Sequence, residues 1–273
     1  MDIPGFLSVR GSGEPVLLVG PVLADGFAPL VAEPALAERY RLIHYHRLGW
    51  AGSTRTPGPV GIPDHVADAL ALLDCLGVEH VHAVGQSSGA AVVAQLAEDH
   101  PERVATAALL ELSLLTRPAG RAFLAEAAPV LEASANGETE RALGMFLAAV
   151  SGMSWAECRA VLEERVPGSV AQAVKDADTL FAVEFPALAE WRFGADDAAA
   201  LRQPVLSVLG ADTRPLWTDV AGFLRATVPD VQEHTVPGVG HLLPPRTAPA
   251  RRRGPGRVPG PAPDPVLSRM RCR

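Results

Sequence analysis

The chain has little cysteine: three residues in 273, Cys75, Cys158 and Cys272. They are widely spaced and odd in number. That pattern is neither a disulfide framework nor a zinc knuckle, so a reducing cytoplasm is the expected setting. No apolar run is long enough to span a bilayer. Residues Met1 to Arg10 lack the basic region and long apolar stretch of a signal peptide. Charged residues make up only 20% against 48% hydrophobic. That balance supplies a large core and excludes global disorder. The net charge of −7 argues against a nucleic-acid surface over the whole chain. No internal repeat is found.

Glycine and proline are plentiful, 25 of each, and the prolines cluster at the end. Residues 244–273 hold eight prolines, eight arginines, no lysine and one acid, Asp264. That segment carries +7 and leaves −14 for residues 1–243. It has almost no apolar periodicity. The chain therefore divides into an acidic globular body and a basic, proline-rich tail, which is expected to be disordered.

The body alternates short apolar runs with helical patterns. Phe6–Arg10, Val16–Val19, Arg41–Tyr45, His80–Val84, Ala105–Leu110, Pro204–Leu209 and Val231–Val236 read as strands. Runs of this length bounded by Gly, Pro or Asp suit buried parallel strands. Asp64–Leu76 places Val66, Ala69, Leu70, Leu73 and Leu76 at helical spacing, and Ala90–Asp99 and Trp217–Ala226 read similarly. The fold class is therefore α/β, a mostly parallel doubly wound sheet. The alternation breaks between Leu112 and Gln203. There the spacing predicts helices over Ala119–Ala133, Glu138–Val150, Trp155–Val166, Val170–Val183 and Ala187–Phe193. Ligands bind at the carboxyl ends of parallel strands, so a helical insertion at that place is expected to act as a lid. The domain reading is a core of 1–112 and 203–243, a helical lid of 113–202 and a tail of 244–273.

Three loops carry chemistry. Gly85-Gln86-Ser87-Ser88-Gly89 follows a strand and opens a helix, the setting of a nucleophile elbow. The turn exposes the Ser87 hydroxyl, and the flanking glycines avoid collisions with neighbouring backbone. A serine nucleophile needs a base, and the base needs an orienting acid. His241, in the glycine-rich loop Val236–His241 after the last strand, is the expected base. Asp212, directly after the strand Val205–Leu209, is the expected acid. The order Ser87, Asp212, His241 is the order of α/β-hydrolase triads.

On these features the chain resembles the serine-nucleophile α/β-hydrolase superfamily over residues 6–243. Arg47-Leu48-Gly49-Trp50-Ala51-Gly52-Ser53 resembles the family's Arg-Gly-x-Gly-x-Ser loop. Asp64–Gly77 resembles the helix before the nucleophile strand, His100–Val104 the lead into the next strand, and Pro237–His241 the catalytic-histidine loop. The resemblance implies a cofactor-free hydrolase. Two departures stand out. The family usually has His-Gly after its oxyanion strand, where this chain has Val19-Gly20-Pro21-Val22. Pro21 has no N–H, so the oxyanion donors are expected from Val22 and Ser88. The family's acid often stands three residues after the glycine, and Asp212 is one position early. Glu111, at the end of the preceding strand run, is the reserve acid.

Other signals are weaker. His44-Tyr45-His46 and His80-Val81-His82 have same-face strand spacing, but no carboxylate or cysteine completes a metal site. His46 reads as a loop-ordering residue. Gly11-x-Gly13 precedes a strand and is no dinucleotide fingerprint. Phe181, Phe185 and Trp191 read as the lid's own core. The codon sets for Arg251–Pro259, read one nucleotide later, permit Val-Ala-Glu-Ala-Leu-Ala-Glu-Phe-Leu, an amphipathic helix of the kind that closes the family fold.

The leading expectation is an esterase-like serine hydrolase acting on a small acyl compound, with no cofactor, no metal, no nucleic-acid partner and no membrane association. The alternatives are a catalytically impaired protein of the same fold that binds a small molecule, or a carbon–carbon bond hydrolase or acyltransferase. Oligomeric state is left open.

Overall fold

The computed structural model describes residues 2–3, 6–55 and 59–247. Eight strands form one sheet: β1 Asp2–Ile3, β2 Leu7–Arg10, β3 Glu14–Val19, β4 Tyr40–Tyr45, β5 Val81–Gln86, β6 Val104–Leu110, β7 Val205–Gly210 and β8 Val231–Val236. Their order is β1-β2-β4-β3-β5-β6-β7-β8. The β1–β2 and β2–β4 pairs are antiparallel, and every pair from β4 to β8 is parallel. The fold is therefore the mostly parallel α/β sheet expected, with β2 to β8 within about two residues of their expected places, while the two-residue β1 was not expected.

Strand periodicity explains the two faces. In β3, Leu17 and Val19 join the main core with Ile43 and Tyr45 of β4. The alternate residues Val16 and Leu18 join Leu42 under Phe27 and Val31. Successive side chains point to opposite faces, so a strand buried on both sides is apolar throughout. Helix Ile62–Cys75 presents Val66, Ala69 and Leu73 to the main core. Helix Ser88–Asp99 packs against β5 and β6 and is buried along most of its length. Helix Pro215–Thr227 covers β7 and β8. Cover thins toward the β8 edge: Glu233 and His234 are exposed, and Leu206 of β7 is 38% exposed.

Between β6 and β7 the chain is helical, as the spacing predicts, but more finely divided. The first expected helix is two, Pro118–Glu126 and Ala128–Ala135. Thr139–Ser151 and Trp155–Arg165 follow. The fourth becomes Ser169–Lys175 and a π-helical turn, Thr179–Glu184, which runs into Phe185–Glu190. Ala195–Ala200 adds a short helix that the spacing does not suggest.

Pro244 was expected to open a structureless tail, but helix Leu243–Thr247 continues one turn into it. The remaining expectations for the tail, including the alternative reading frame, concern residues 248–273 and lie outside the described residues. Cys158 is free and buried. No helix among the described residues is long and apolar enough to cross a membrane.

Candidate active site

Sheet order decides which loops meet. The chain reverses its strand order at β3, which has β4 on one side and β5 on the other. A crevice opens outside the strand ends at such a switch point. The loop after β5 carries Ser87. Its neighbours on the two sides are the loop after β3, Gly20–Val22, and the end of β6, Glu111.

Ser87 sits between β5 and helix Ser88–Asp99 with φ 56° and ψ −119°, a backbone conformation that costs energy in a non-glycine residue. The flanking glycines make the turn possible. A Cβ at Gly85 would lie 2.3 Å from the Gly89 carbonyl oxygen, and one at Gly89 would lie 2.2 Å from the Val19 carbonyl oxygen. The Ser87 amide donates to the Leu110 carbonyl at 2.9 Å, which ties the elbow to β6.

His241 meets Ser87. Its Nε2 is 3.0 Å from Ser87 Oγ, and the imidazole is 7% exposed. Its loop is held from two directions. The Gln86 side-chain amide donates to the His241 carbonyl at 2.7 Å, and the Trp217 ring stacks on the imidazole at 3.9 Å and 21°. Gly210 lets the loop approach β7, because a Cβ there would stand 2.2 Å from the Val239 carbonyl oxygen.

The acid against His241 is Glu111, not Asp212. Glu111 Oε2 lies 2.6 Å from His241 Nδ1, and Oε1 accepts from the Gly210 amide at 2.8 Å. Glu111 is 1% exposed and has φ 48°. Asp212 is exposed; its amide donates to the Val239 carbonyl, and its carboxylate takes no part in the contacts of His241. This corrects the expected assignment, and the reason is geometric. Glu111 ends the strand next to β5, whereas Asp212 follows the strand beyond it. The positive φ of Glu111 turns its chain away from the strand direction, and a glutamate has the extra methylene to reach the imidazole.

A cavity of about 20 Å³ lies over Ser87, room for a water molecule or two. Val22, Ser87 and Ser113 stand in its lining beside Phe123, Phe146, Leu180, Phe185, Leu188 and Trp217. Ser113 Oγ is 3.1 Å from Ser87 Oγ. Most of the apolar wall comes from the segment between β6 and β7. Phe181 and Phe185 pack edge-on against Phe146, so Phe185 is both core of that segment and wall of the cavity, while Trp191 stacks on Phe193.

Below the site lies a buried ionic cluster. Both Arg47 and Glu184 are 2% exposed. The Arg47 fork donates to both Glu184 oxygens, at 3.0 and 2.8 Å, and His65 Nε2 is 3.4 Å from Glu184. Burial alone would raise the Glu184 pKa, but the Arg47 charge and the His65 contacts hold it far below the usual carboxylate range. Desolvation lowers the buried His44 to about 4, and its Nε2 pairs with the Ala24 carbonyl at 3.1 Å. His46 orders the same loop through Asp25, 3.0 Å away.

Gln86, Ser113, Trp217, Glu184 and the contacts of Arg47 were not read from the sequence. Gln86 lies inside the elbow motif and was the one within reach of local reasoning. No group of three His, Cys, Asp or Glu that could hold a metal occurs among the described residues.

Comparison with known proteins agrees with the fold. The family model of the alpha/beta hydrolase fold matches residues 24–245. A protein named "Putative carbamate hydrolase RutD" from Azorhizobium caulinodans is 36% identical over 104 residues, 38% of this chain and 39% of that protein. A fluoroacetate dehalogenase from Burkholderia is 31% identical over 112 residues, 38% and 36% of the two chains. The match thus spans under half the length of these curated relatives. Among solved structures, naproxen esterase from Bacillus subtilis superposes with a TM-score of 0.67 at 20% identity, covering 89% of this chain and 84% of that one.

Proposed function

Since the chain belongs to the alpha/beta hydrolase family, we propose that it is a serine hydrolase cleaving carboxylic esters of small, uncharged acyl groups. The observation that carries this reading is the unbroken line Ser87 Oγ, His241 Nε2, His241 Nδ1, Glu111 Oε2, with gaps of 3.0 and 2.6 Å.

Ser87 Oγ attacks the ester carbonyl, and its proton passes to His241 Nε2. Glu111 keeps the proton of Nδ1 in place and stabilises the imidazolium that forms. The amides of Val22 and Ser88 hold the oxyanion, each worth about 3 kcal/mol of barrier in comparable sites. Collapse of the tetrahedral intermediate breaks the bond to the alcohol oxygen, which takes the proton from Nε2. Water then repeats the sequence on the acyl-enzyme, releasing the acid and restoring Ser87.

The apolar wall supports an uncharged acyl group, since the buried Arg47 is already committed to Glu184. Halide displacement is disfavoured, because an alkylated serine is an ether with no carbonyl for water to attack. The 20 Å³ cavity is far below the ~300–1,000 Å³ of ligand pockets. The helices that wall it therefore act as a lid that opens to admit substrate.

A fluorophosphonate probe tests the reading. It labels the parent protein at Ser87 and leaves Ser87→Ala unlabelled, and a panel of p-nitrophenyl esters then ranks acyl chain lengths. Labelling of the folded Ser87→Ala protein as strong as that of the parent overturns the assignment.

A further inference from the structure

The oxyanion strand ends in Gly20-Pro21-Val22, and Pro21 has no amide proton to offer. On the reading above, which this inference rests on, the Val22 amide must do the work. Its direction is then the sensitive quantity, because an oxyanion donor acts only when aimed where charge develops. Val22 lies in the lining of the Ser87 cavity.

The peptide unit that holds the Val22 N–H also holds the Pro21 carbonyl. The described residues include no cis peptide bond, and in a planar trans unit the C=O and N–H point in opposite directions. Fixing one end aims the other. Arg47 holds this turn: Nε donates to the Gly20 carbonyl at 3.1 Å, and Nη2, whose two protons also serve Glu184 and Ser88, makes a longer shared contact with the Pro21 carbonyl at 3.4 Å. The same Nη2 donates to Ser88 Oγ at 3.1 Å, and Ser88 is the residue expected to supply the other oxyanion donor. One guanidinium thus touches both halves of the site from behind.

The guanidinium is itself immobilised. Glu184 holds it bidentately, and Trp50 lies under it with the ring centre 5.5 Å away. Glu184 comes from the π-helical turn Thr179–Glu184. That turn is pinned to the loop after β4 by the Thr179 hydroxyl, which donates to the Gly49 carbonyl at 2.8 Å. Stability alone does not account for such a pair. Buried ion pairs are often replaceable by apolar residues with no loss of stability. An apolar residue could not hold two backbone carbonyls and a hydroxyl at once, and lysine, a point charge without a fork, could not hold all three.

We propose that Arg47, gripped by Glu184, is a positioning residue that aims the Val22 and Ser88 amides at the oxyanion. It touches no substrate and acts only through the Gly20 and Pro21 carbonyls and the Ser88 hydroxyl that it holds.

The test uses the full chain, a p-nitrophenyl ester, the fluorophosphonate probe, an alkylboronic acid as tetrahedral mimic and the product carboxylic acid as ground-state mimic. The variants are Arg47→Lys, which keeps the charge against Glu184, and the double variant R47M/E184M, which removes both charges together. Both variants are expected to lose about 10- to 100-fold in kcat, less than the ~10²–10³ of deleting a donor outright. KM and product-acid binding should change by less than about twofold, and boronate affinity should fall in parallel with kcat/KM, as for any group acting only in the transition state. The double variant should melt no lower than the parent, so its loss is not one of folding. A folded double variant with kcat within about twofold of the parent overturns the proposal. So does a kcat loss with unchanged boronate affinity, or a loss carried in KM alone. Failure of the parent itself to turn over esters and to label at Ser87 overturns the hydrolase reading and this inference with it. A parent that labels and turns over beside unaffected variants overturns this inference alone.

Discussion

Glu111→Gln should abolish most activity while leaving the fold in place, and the reason lies in how Glu111 is held. One oxygen accepts from the Gly210 amide at 2.8 Å and the other faces His241 Nδ1 at 2.6 Å. Glutamine fills the same volume, but its two ends differ. Gly210 N–H demands an acceptor, so the amide oxygen must go there and the NH₂ group must face the imidazole. Nδ1 then becomes an acceptor, and the proton moves to Nε2. In that tautomer Nε2 cannot take the proton of Ser87. Removing the correct tautomer in this way costs about 10⁴ in kcat in a comparable triad, which is about 5 kcal/mol of barrier. The assay is p-nitrophenyl ester turnover beside a melting curve. Glu111→Gln should lose about 10³–10⁴ in kcat with a melting point near that of the parent. Asp212→Asn should stay within about twofold, as exposed substitutions commonly do. The opposite ranking, with Asp212→Asn the more damaging, refutes the argument and returns the orienting role to Asp212.

Gly89→Ala should be destabilised by about 4 kcal/mol or more, since its Cβ would meet the Val19 and Gly20 carbonyl oxygens at 2.2 and 2.5 Å and backbone cannot rotate away as a side chain can; denaturant titration measures it, and a loss below about 1 kcal/mol contradicts the close approach. Trp217→Ala should lower kcat more than it raises KM, because the ring stacks on the imidazole at 3.9 Å; steady-state kinetics separate the two, and a pure KM effect assigns Trp217 to substrate binding instead. His44 gives a pH dependence. Its folded pKa of about 4 lies below the ordinary 6.5, so between those values the unfolded chain binds the proton and the folded one does not. Stability therefore falls as pH drops from 6.5 toward 4, by up to about 3 kcal/mol. His44→Gln should flatten that part of the stability–pH curve, and an unchanged slope shows that His44 does not cause it.

How much was legible before the structure depends on how far apart the interacting atoms lie along the chain. The elbow could be read because its constraint is local: Gly85 is crowded by Gly89 and Ala90, all within six residues. Strand β3 could be read because burial on both faces leaves the continuous apolar run Val16–Val19, whereas β8, with Glu233 and His234 exposed, could be read only from its place in the strand–helix alternation. Helices between β6 and β7 could be read by their spacing, but their breaks could not. The break at Ala127 is followed by Pro129, and the turn Thr179–Glu184 by Pro186, each within the first two positions of the next helix, so the signal for both is a local proline that apolar spacing does not carry.

The acid shows the limit more sharply. Asp212 and Glu111 both end a strand run, and spacing cannot choose between two strand ends. The choice needs the sheet order, which places β6 beside β5 and β7 one further out, and the positive φ of Glu111, which no local motif announces. The Arg47–Glu184 pair is further still from view, its members 137 positions apart. Arg47 belonged to a recognisable loop, yet nothing near it in the chain says that its fork is filled by a π-helical turn in a later segment. The structure thereby changes the meaning of Pro21. Taken alone, the missing amide proton looks like damage to the oxyanion site. With two successive carbonyls held from behind, the same proline stiffens the segment that carries the Val22 amide, and a residue that cannot donate helps to aim the one that follows it.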